Sequence, residues 1–171
     1  MRKRIYFGDF IGPYWPEPRE LAPCFSDPSG EAWPRLGGND EWGLYAEGLE
    51  GTEDFLEKRD RVDVVLVMTG YPDLGVRLLY VKWDGRRKQK EDYASKGDLR
   101  RLGEVVDSMQ GTPLSVGLFV PFADAFKAVK EFIETDGELP KSIEWIADRD
   151  LPPEAFPDPG KPPQTRDPLR R

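Results

Sequence analysis

The chain has 171 residues, a net charge of −7, one cysteine and no histidine, and its length is that of a single domain. The lack of histidine excludes a Ser-His-Asp triad, a Cys-His pair and a histidine metal site, and one cysteine excludes an intramolecular disulfide and a thiolate zinc site. The acidic balance argues against a dedicated nucleic-acid binder, so composition favours a binding protein over an enzyme.

The first 38 residues combine many prolines with large aromatic side chains. Six of the 17 prolines fall between positions 13 and 34, and each proline fixes φ and removes a backbone donor. Trp15, Phe25 and Trp33 lie among them and have the apolar area that favours burial. We therefore expect residues 1–38 to form an ordered but irregular Pro-rich layer on the core.

The beginning of the chain does not have the pattern of an export signal. Its basic residues precede only three apolar ones, Ile5–Phe7, which is far shorter than an export h-region. No window approaches the ~18 apolar residues of a membrane span, and one unpaired cysteine fits a reducing compartment. We expect a cytoplasmic protein with no membrane partner.

Three strands are predicted after residue 61. Val62–Thr69 is rich in β-branched residues, which is typical of a buried strand. The turn signal Tyr71–Gly75 leads to a return strand over Val76–Trp83, and Asp84–Gly85 is a dipeptide favoured in hairpins. Arg86–Tyr93 then predicts a polar third strand, whose lysines and arginines would protect a sheet edge.

Two helices and two further strands are predicted next. Asp98 can cap a helix that ends before Gly111, and a strand follows over 114–120. Pro121 then opens the clearest helix, which Gly137 ends, and a short strand over 142–146 closes the pattern. This order favours an α+β fold, a mainly antiparallel sheet with two helices packed on it. The apolar faces of the two helices would be Leu99, Leu102, Val105, Val106 and Met109, and Phe122, Phe126, Val129 and Ile133.

The domain prediction follows from these elements. We expect one α+β domain over residues 1–150, with its sheet and helices in 62–147. Seven prolines lie between positions 152 and 168 and oppose regular structure there. Residues 151–171 are expected to form a surface strap anchored by Phe156, followed by a disordered tail beyond Gly160.

Charge is distributed unevenly along the chain. Residues 39–60 carry net −6 and residues 102–147 net −5, whereas residues 82–101 carry net +4. The first stretch interleaves acids with Trp42, Tyr45 and Phe55. It is either a solvated face that keeps the protein soluble or a surface complementary to a basic partner, able to imitate a nucleic-acid backbone. The basic stretch is interpreted as a protected strand edge, because its flanks are acidic and stacking residues are scarce.

Motifs for catalysis or cofactor binding are missing from the sequence. Gly160-Lys161 is followed by proline, so there is no Walker-type phosphate loop, and neither G-x-G-x-x-G nor G-x-S-x-G occurs. Asp60 and Asp63 lack the spacing of a calcium loop, and Cys24 has no histidine to act as its base. We predict no catalytic residue, no metal site and no cofactor.

The segment from 120 to 145 has a distinctive order of residues. Val-Pro-Phe at 120–122 precedes alanines at 125 and 128, the run Glu131–Ile133, the loop Thr135–Pro140 and Ile143-Glu144-Trp145. This order resembles the closing motif of the first Imm family of immunity proteins from bacterial polymorphic toxin systems. The resemblance implies an α+β cytoplasmic protein without catalysis of its own, made beside a toxin gene. Such a protein binds that toxin's domain, which in this family is often a nucleic-acid deaminase.

We therefore predict an immunity protein that occludes the active cleft of a cognate toxin and has neither nucleic acid nor membrane as a partner. Two alternatives stay open, a carboxylate- or metal-dependent hydrolase and an adaptor domain of a secretion system. A hydrolase would need several acids converging in one pocket, and a neighbouring toxin gene would separate the adaptor from the immunity protein. The expected toxin-binding residues, chosen from charge and aromatic content, are Asp40, Glu41, Trp42, Tyr45, Glu47, Glu50, Glu53, Asp54 and Glu57, with Tyr71 and Asp73 of the hairpin turn as a second choice.

Overall fold

A large antiparallel sheet dominates the computed structural model, which describes residues 1–26, 33, 42–108 and 110–158. In the described residues the helices are α1 (Pro18–Phe25) and α2 (Phe122–Glu134), which confirms the α+β class. The strands are β1 (Arg2–Phe7), β2 (Phe10–Gly12), β3 (Trp42–Glu47), β4 (Val62–Tyr71), β5 (Gly75–Asp84), β6 (Gln89–Ser95), β7 (Val105–Asp107), β8 (Pro113–Ser115), β9 (Phe119–Val120) and β10 (Trp145–Ala147).

The large sheet has the strand order β10-β6-β5-β4-β3-β1-β2, and β9 pairs with β5 beyond this path. All of its pairings are antiparallel. The central β4–β5 hairpin runs in register from Val62 opposite Asp84 to Tyr71 opposite Gly75, which confirms the two strands predicted there. Asp73 and Gly75 take φ values of 62° and 109° in its turn.

The third predicted strand is present but shorter at its beginning. Residues 85–88 form the turn, with Lys88 at φ 53°, and β6 begins only at Gln89. Its second half is covered, because β10 pairs with it between Tyr93 and Ser95. The edge role predicted for this strand therefore applies to residues 89–92 alone.

One face of the sheet, the helix face, is covered by α1 and α2. The α2 side chains of Ala125, Ala128, Val129 and Phe132 are fully buried against this face. Pro121 is the N-cap of α2. Gly137, at φ 97°, donates its N–H to the carbonyl of Phe132 at 2.9 Å and ends the helix as predicted. The sheet residues beneath include Leu44, Val64, Leu66, Met68, Val76, Leu78 and Tyr80.

The N-terminal layer is more regular than the proline content suggested. Residues 1–26 contain two strands and a helix, and β1 pairs with β3 inside the sheet. Pro18 is tolerated in the first turn of α1, where no N–H is needed, and Glu17 and Glu20 form a capping box there. Residues 27–32 and 34–38 of the predicted layer lie outside the described residues, whereas Trp33 is 2% exposed.

The helix predicted from Asp98 is wrong. Asp98 does cap a turn, accepting a hydrogen bond from the N–H of Arg100 at 3.1 Å, but the turn is a 3-10 helix that spans only Leu99–Arg101. The β-branched pair at 105 and 106 enters β7, which forms a hairpin with β8. Gly111 at φ 78° shapes the connection. Strand propensity and a nearby partner strand outweighed the helical spacing of apolar residues.

The opposite face of the sheet, the open face, carries a second and smaller core. Ala94, Leu102, Leu118 and Ala155 form this cluster, and Leu79 packs against it. Within residues 151–158, Ala155 in a short 3-10 turn is buried, whereas Phe156 is 51% exposed, so the predicted Phe156 anchor is wrong. The predicted tail from 159 onward lies outside the described residues.

Candidate functional site

Two acidic parts of the sequence meet at one end of the helix face. The loop that follows β3 and the loop that follows α2 border a cavity of about 560 Å³ together with β5 and β6. We call it the acidic cavity, because five carboxylate side chains line it and only one lysine does. Its charged side chains are Glu50, Glu53, Glu91, Asp136, Glu138 and Lys82, and Tyr80 and Met1, which carries the α-amino group, are also part of its wall.

The first half of the β3–β4 loop is fixed by its own backbone. Gly48, Glu50 and Gly51 all have positive φ, between 54° and 79°, which is the region that glycine adopts most easily. The buried Thr52 hydroxyl donates to the carbonyl of Leu49 at 2.6 Å and accepts from the N–H of Val62 at 2.9 Å. These bonds tie the loop to the first residue of β4.

Glu50 attaches this loop to the sheet. Its two carboxylate oxygens contact the Nζ of Lys82 at 2.6 Å and an Nη of Arg86 at 2.7 Å. The hydrogen bonds from Lys82 and Arg86 lower the pKa of Glu50 below its usual range. The charge of Glu50 is thus neutralised within the chain, and its role here is to position the loop.

Arg61 holds the second half of the loop. Its guanidinium donates to both carboxylate oxygens of Asp63 at 2.6 and 2.8 Å, and to the carbonyl of Leu56 at 3.4 Å. The hydrogen bond to Asp63 raises the pKa of Arg61. Arg61 is only 8% exposed, so this pair forms a buried anchor beneath the loop.

Three carboxylates of the acidic cavity have no cationic partner among the described residues: Glu53, Glu91 and Glu138. Asp136, by contrast, pairs with Lys3. Burial, followed by the charges of Glu91 and Glu138, raises the pKa of Tyr80, so its hydroxyl stays protonated and donates to the carbonyl of Gly137 at 3.2 Å. Because α2 ends here, its dipole adds negative potential. The cavity is therefore suited to a positively charged group.

The predicted toxin-binding residues do not form one surface. Asp40 and Glu41 lie outside the described residues. Trp42 is 2% exposed and packs against the rings of Tyr6 and Phe7, so it belongs to the core.

Tyr45 and Glu47 lie on the open face, because their neighbours Leu44 and Ala46 point into the helix-face core. The guanidinium of Arg4 lies 4.7 Å from the centroid of the Tyr45 ring, and Glu47 is near Arg2 and Arg61 at 3.6 and 3.5 Å. These two residues sit beside the loop, on the other face of the sheet from the acidic cavity.

The remaining predicted residues divide between the two ends of β4. Glu53 lies in the acidic cavity, and Asp54 and Glu57 are exposed on the same loop. Tyr71 and Asp73 follow at the far end of this ten-residue strand, about 30 Å away. The hairpin turn and the acidic loop therefore form separate surfaces.

Sequence reasoning missed Glu91, Asp136 and Glu138 as site residues. The −5 charge of residues 102–147 was a signal for the last two, but nothing in the sequence places them beside residues 48–53. It also noted Phe55 without selecting it. In the structure Phe55 and Leu56 are 48% and 82% exposed and stand next to the unpaired acids.

The described residues show no group of three or more aspartates, glutamates or cysteines placed to hold a metal ion. In the same part of the chain, no helix has both the length and the apolarity needed to cross a membrane.

Comparison with known proteins gives one result. A family model described as "Immunity protein Imm1" matches residues 48–147, which is more than half of the chain and includes the acidic loop, α2 and every strand from β4 to β10. The comparison with curated proteins and that with solved structures give no match.

Proposed function

The chain belongs to the Imm1 family of immunity proteins, which act against a toxin, and we propose that it neutralises a nucleic-acid-acting toxin domain of the deaminase type by occluding its active cleft. The acidic cavity and the loop over residues 48–61 form the occluding surface. The chain acts by binding alone, in the cytoplasm of the producing cell.

The observation that carries this proposal is the convergence of unpaired carboxylates. Glu53, Glu91 and Glu138 come from three separate parts of the sequence and line one cavity. Asp54 and Glu57 extend the acidic surface along the loop. Like charges held together cost free energy in the free protein, and a cationic partner would recover that energy on binding.

The charge of the surface matches what such a toxin must carry. A domain that binds nucleic acid uses lysine and arginine side chains to neutralise phosphates. An acidic surface that is fixed in shape competes for those cations and speeds the encounter of the two proteins. Exposed apolar side chains within the surface add affinity, because well-packed anchors carry most binding energy.

Co-expression with the toxin encoded beside this chain's gene tests the proposal. We expect the wild-type chain to restore growth and to co-purify with the toxin domain. The variant Glu53→Lys, Asp54→Lys, Glu57→Lys should lose protection, with Kd raised about 100-fold, since charged contacts to the toxin become repulsive.

The matched control makes the same charge change elsewhere. Asp107→Lys, Asp150→Lys, Glu154→Lys alters three exposed acids outside the acidic cavity and should protect as the wild type does. Circular dichroism would verify that both variants fold. Absence of a complex with the wild-type chain would refute the proposal, and equal losses in the two variants would refute the assigned surface.

A further inference from the structure

The loop over residues 48–61 presents a pair of apolar side chains to solvent. Phe55 is 48% exposed and Leu56 82%, and neither belongs to the two buried clusters of the described residues. Single exposed apolar residues are common on protein surfaces. Two adjacent ones, one of them aromatic and both flanked by acidic residues, instead have the composition of a binding anchor with a polar rim.

The backbone that carries this pair is held at both ends. The N–H of Phe55 donates to the carbonyl of Thr52 at 3.1 Å, and Thr52 is itself buried and bonded to β4. The carbonyl of Leu56 accepts from Arg61, which Asp63 fixes in place. A partner therefore meets a preformed loop, and little ordering entropy is lost when it binds.

Acids surround the pair in the sequence and in the fold. Glu53 and Asp54 precede it and have no cationic partner in the part of the chain that the structure describes, and Glu57 follows it and pairs with the exposed Arg59 at 2.8 Å. A complementary site must accept a flat apolar group and present cations around it. A pocket that receives an unstacked base has these properties, with apolar or aromatic walls for the base and lysine or arginine for the flanking phosphates.

We propose that Phe55 and Leu56 enter the nucleobase pocket of the toxin domain, with Phe55 in the place of a base and the flanking carboxylates in the place of phosphates. This inference rests on the proposed function and names the side chains, Phe55 and Leu56, that would block the active cleft of the toxin domain. It makes binding of this chain and binding of nucleic acid to the toxin mutually exclusive.

The first experiment measures affinity for the toxin domain encoded beside this chain's gene. Phe55→Ala, Leu56→Ala should raise Kd about 30-fold or more, as removal of an interface anchor does. The matched control is Phe156→Ala, Ile11→Ala, which removes a phenylalanine 51% exposed and an aliphatic side chain 63% exposed elsewhere on the molecule, and it should leave Kd unchanged. Circular dichroism of both variants verifies folding.

The second experiment measures competition. Labelled single-stranded DNA and RNA oligonucleotides of mixed sequence are bound to the toxin domain, and the wild-type chain is expected to displace them at concentrations near its Kd. The Phe55→Ala, Leu56→Ala variant should need about 30-fold more protein for the same displacement.

The outcomes separate the two proposals. If the double variant binds as the wild type does while the wild type still forms a complex, the anchor is wrong and the proposed function stands. A ternary complex of toxin, oligonucleotide and wild-type chain, or a toxin that binds neither oligonucleotide, overturns the nucleobase-pocket assignment. A wild-type chain that does not bind the toxin at all overturns both.

Discussion

Arg61 shows how a single buried cation can stabilise an exposed loop. The residue is 8% exposed, and its guanidinium depends on Asp63 for its charge balance, with Glu47 farther away at 3.5 Å. Removing Asp63 leaves the cation buried without its main partner, which is far more costly than removing an exposed ion pair.

Asp63→Ala should therefore lower the free energy of unfolding by about 2–4 kcal/mol. Urea denaturation followed by tryptophan fluorescence measures this loss. Asp54→Ala removes an exposed acid of the same loop and should change stability by no more than about 0.5 kcal/mol. If the two variants lose equal stability, the buried pair does not anchor the loop.

Strand alternation decides which aromatic residues of the acidic stretch can meet a partner. Trp42, Leu44 and Ala46 point into the core, whereas Tyr45 and Glu47 point to the open face. The apolar residues at 42, 44 and 46 alternate in the sequence as on the buried face of a strand. The high acid content nevertheless favoured the interpretation of this stretch as an exposed surface. Charge and aromatic content indicated the loop that we propose as the toxin-binding surface, and the pairing of β3 shows which of its side chains are accessible.

Elements whose partners are close in sequence were predictable, and those with distant partners were not. The β4–β5 hairpin and α2 carry their turn and stop residues with them, so local chemistry determines them. The strands β1 and β3 find each other across about 40 residues, and the meeting of residues 48–53 with residues 135–139 depends on that sheet. The acidic cavity therefore depends on the sheet topology, and no local sequence pattern predicts it.

The β4–β5 turn gives a prediction at the scale of the element. A Cβ at Gly75, which has φ 109°, would overlap the carbonyl oxygen of Val120 in β9, so β9 would have to move. Gly75→Ala should cost about 3 kcal/mol or more in unfolding free energy. Gly51→Ala is the control, since Gly51 also has positive φ, 74°, but no atom within 4 Å, and it should cost about 1–2 kcal/mol. Equal costs in thermal or urea unfolding would show that contact with β9 contributes nothing.

At the scale of the whole molecule, the net charge of −7 does not show how unevenly charge is distributed over the surface. Three acids from outside the basic stretch pair with its cations, Glu50 with Lys82 and Arg86, Glu104 with Arg101 and Glu144 with Lys96, so much of the +4 there is offset within the chain. Among the described residues, Glu53, Glu91 and Glu138 add unpaired negative charge at one cavity. A field of one sign at one end of a molecule orients an approaching partner and raises the association rate.

Association kinetics with the toxin domain should show this directly. As salt rises from about 50 to 500 mM, the Debye length shortens about threefold, and the wild-type association rate constant should fall about tenfold or more while dissociation changes little. The Glu53→Lys, Asp54→Lys, Glu57→Lys variant should associate slowly and with a much weaker salt dependence, because it lacks the steering field. The Asp107→Lys, Asp150→Lys, Glu154→Lys variant has the same net charge and should keep most of the wild-type slope. Identical slopes in the two variants would mean that net charge, and not the acidic loop, guides the encounter.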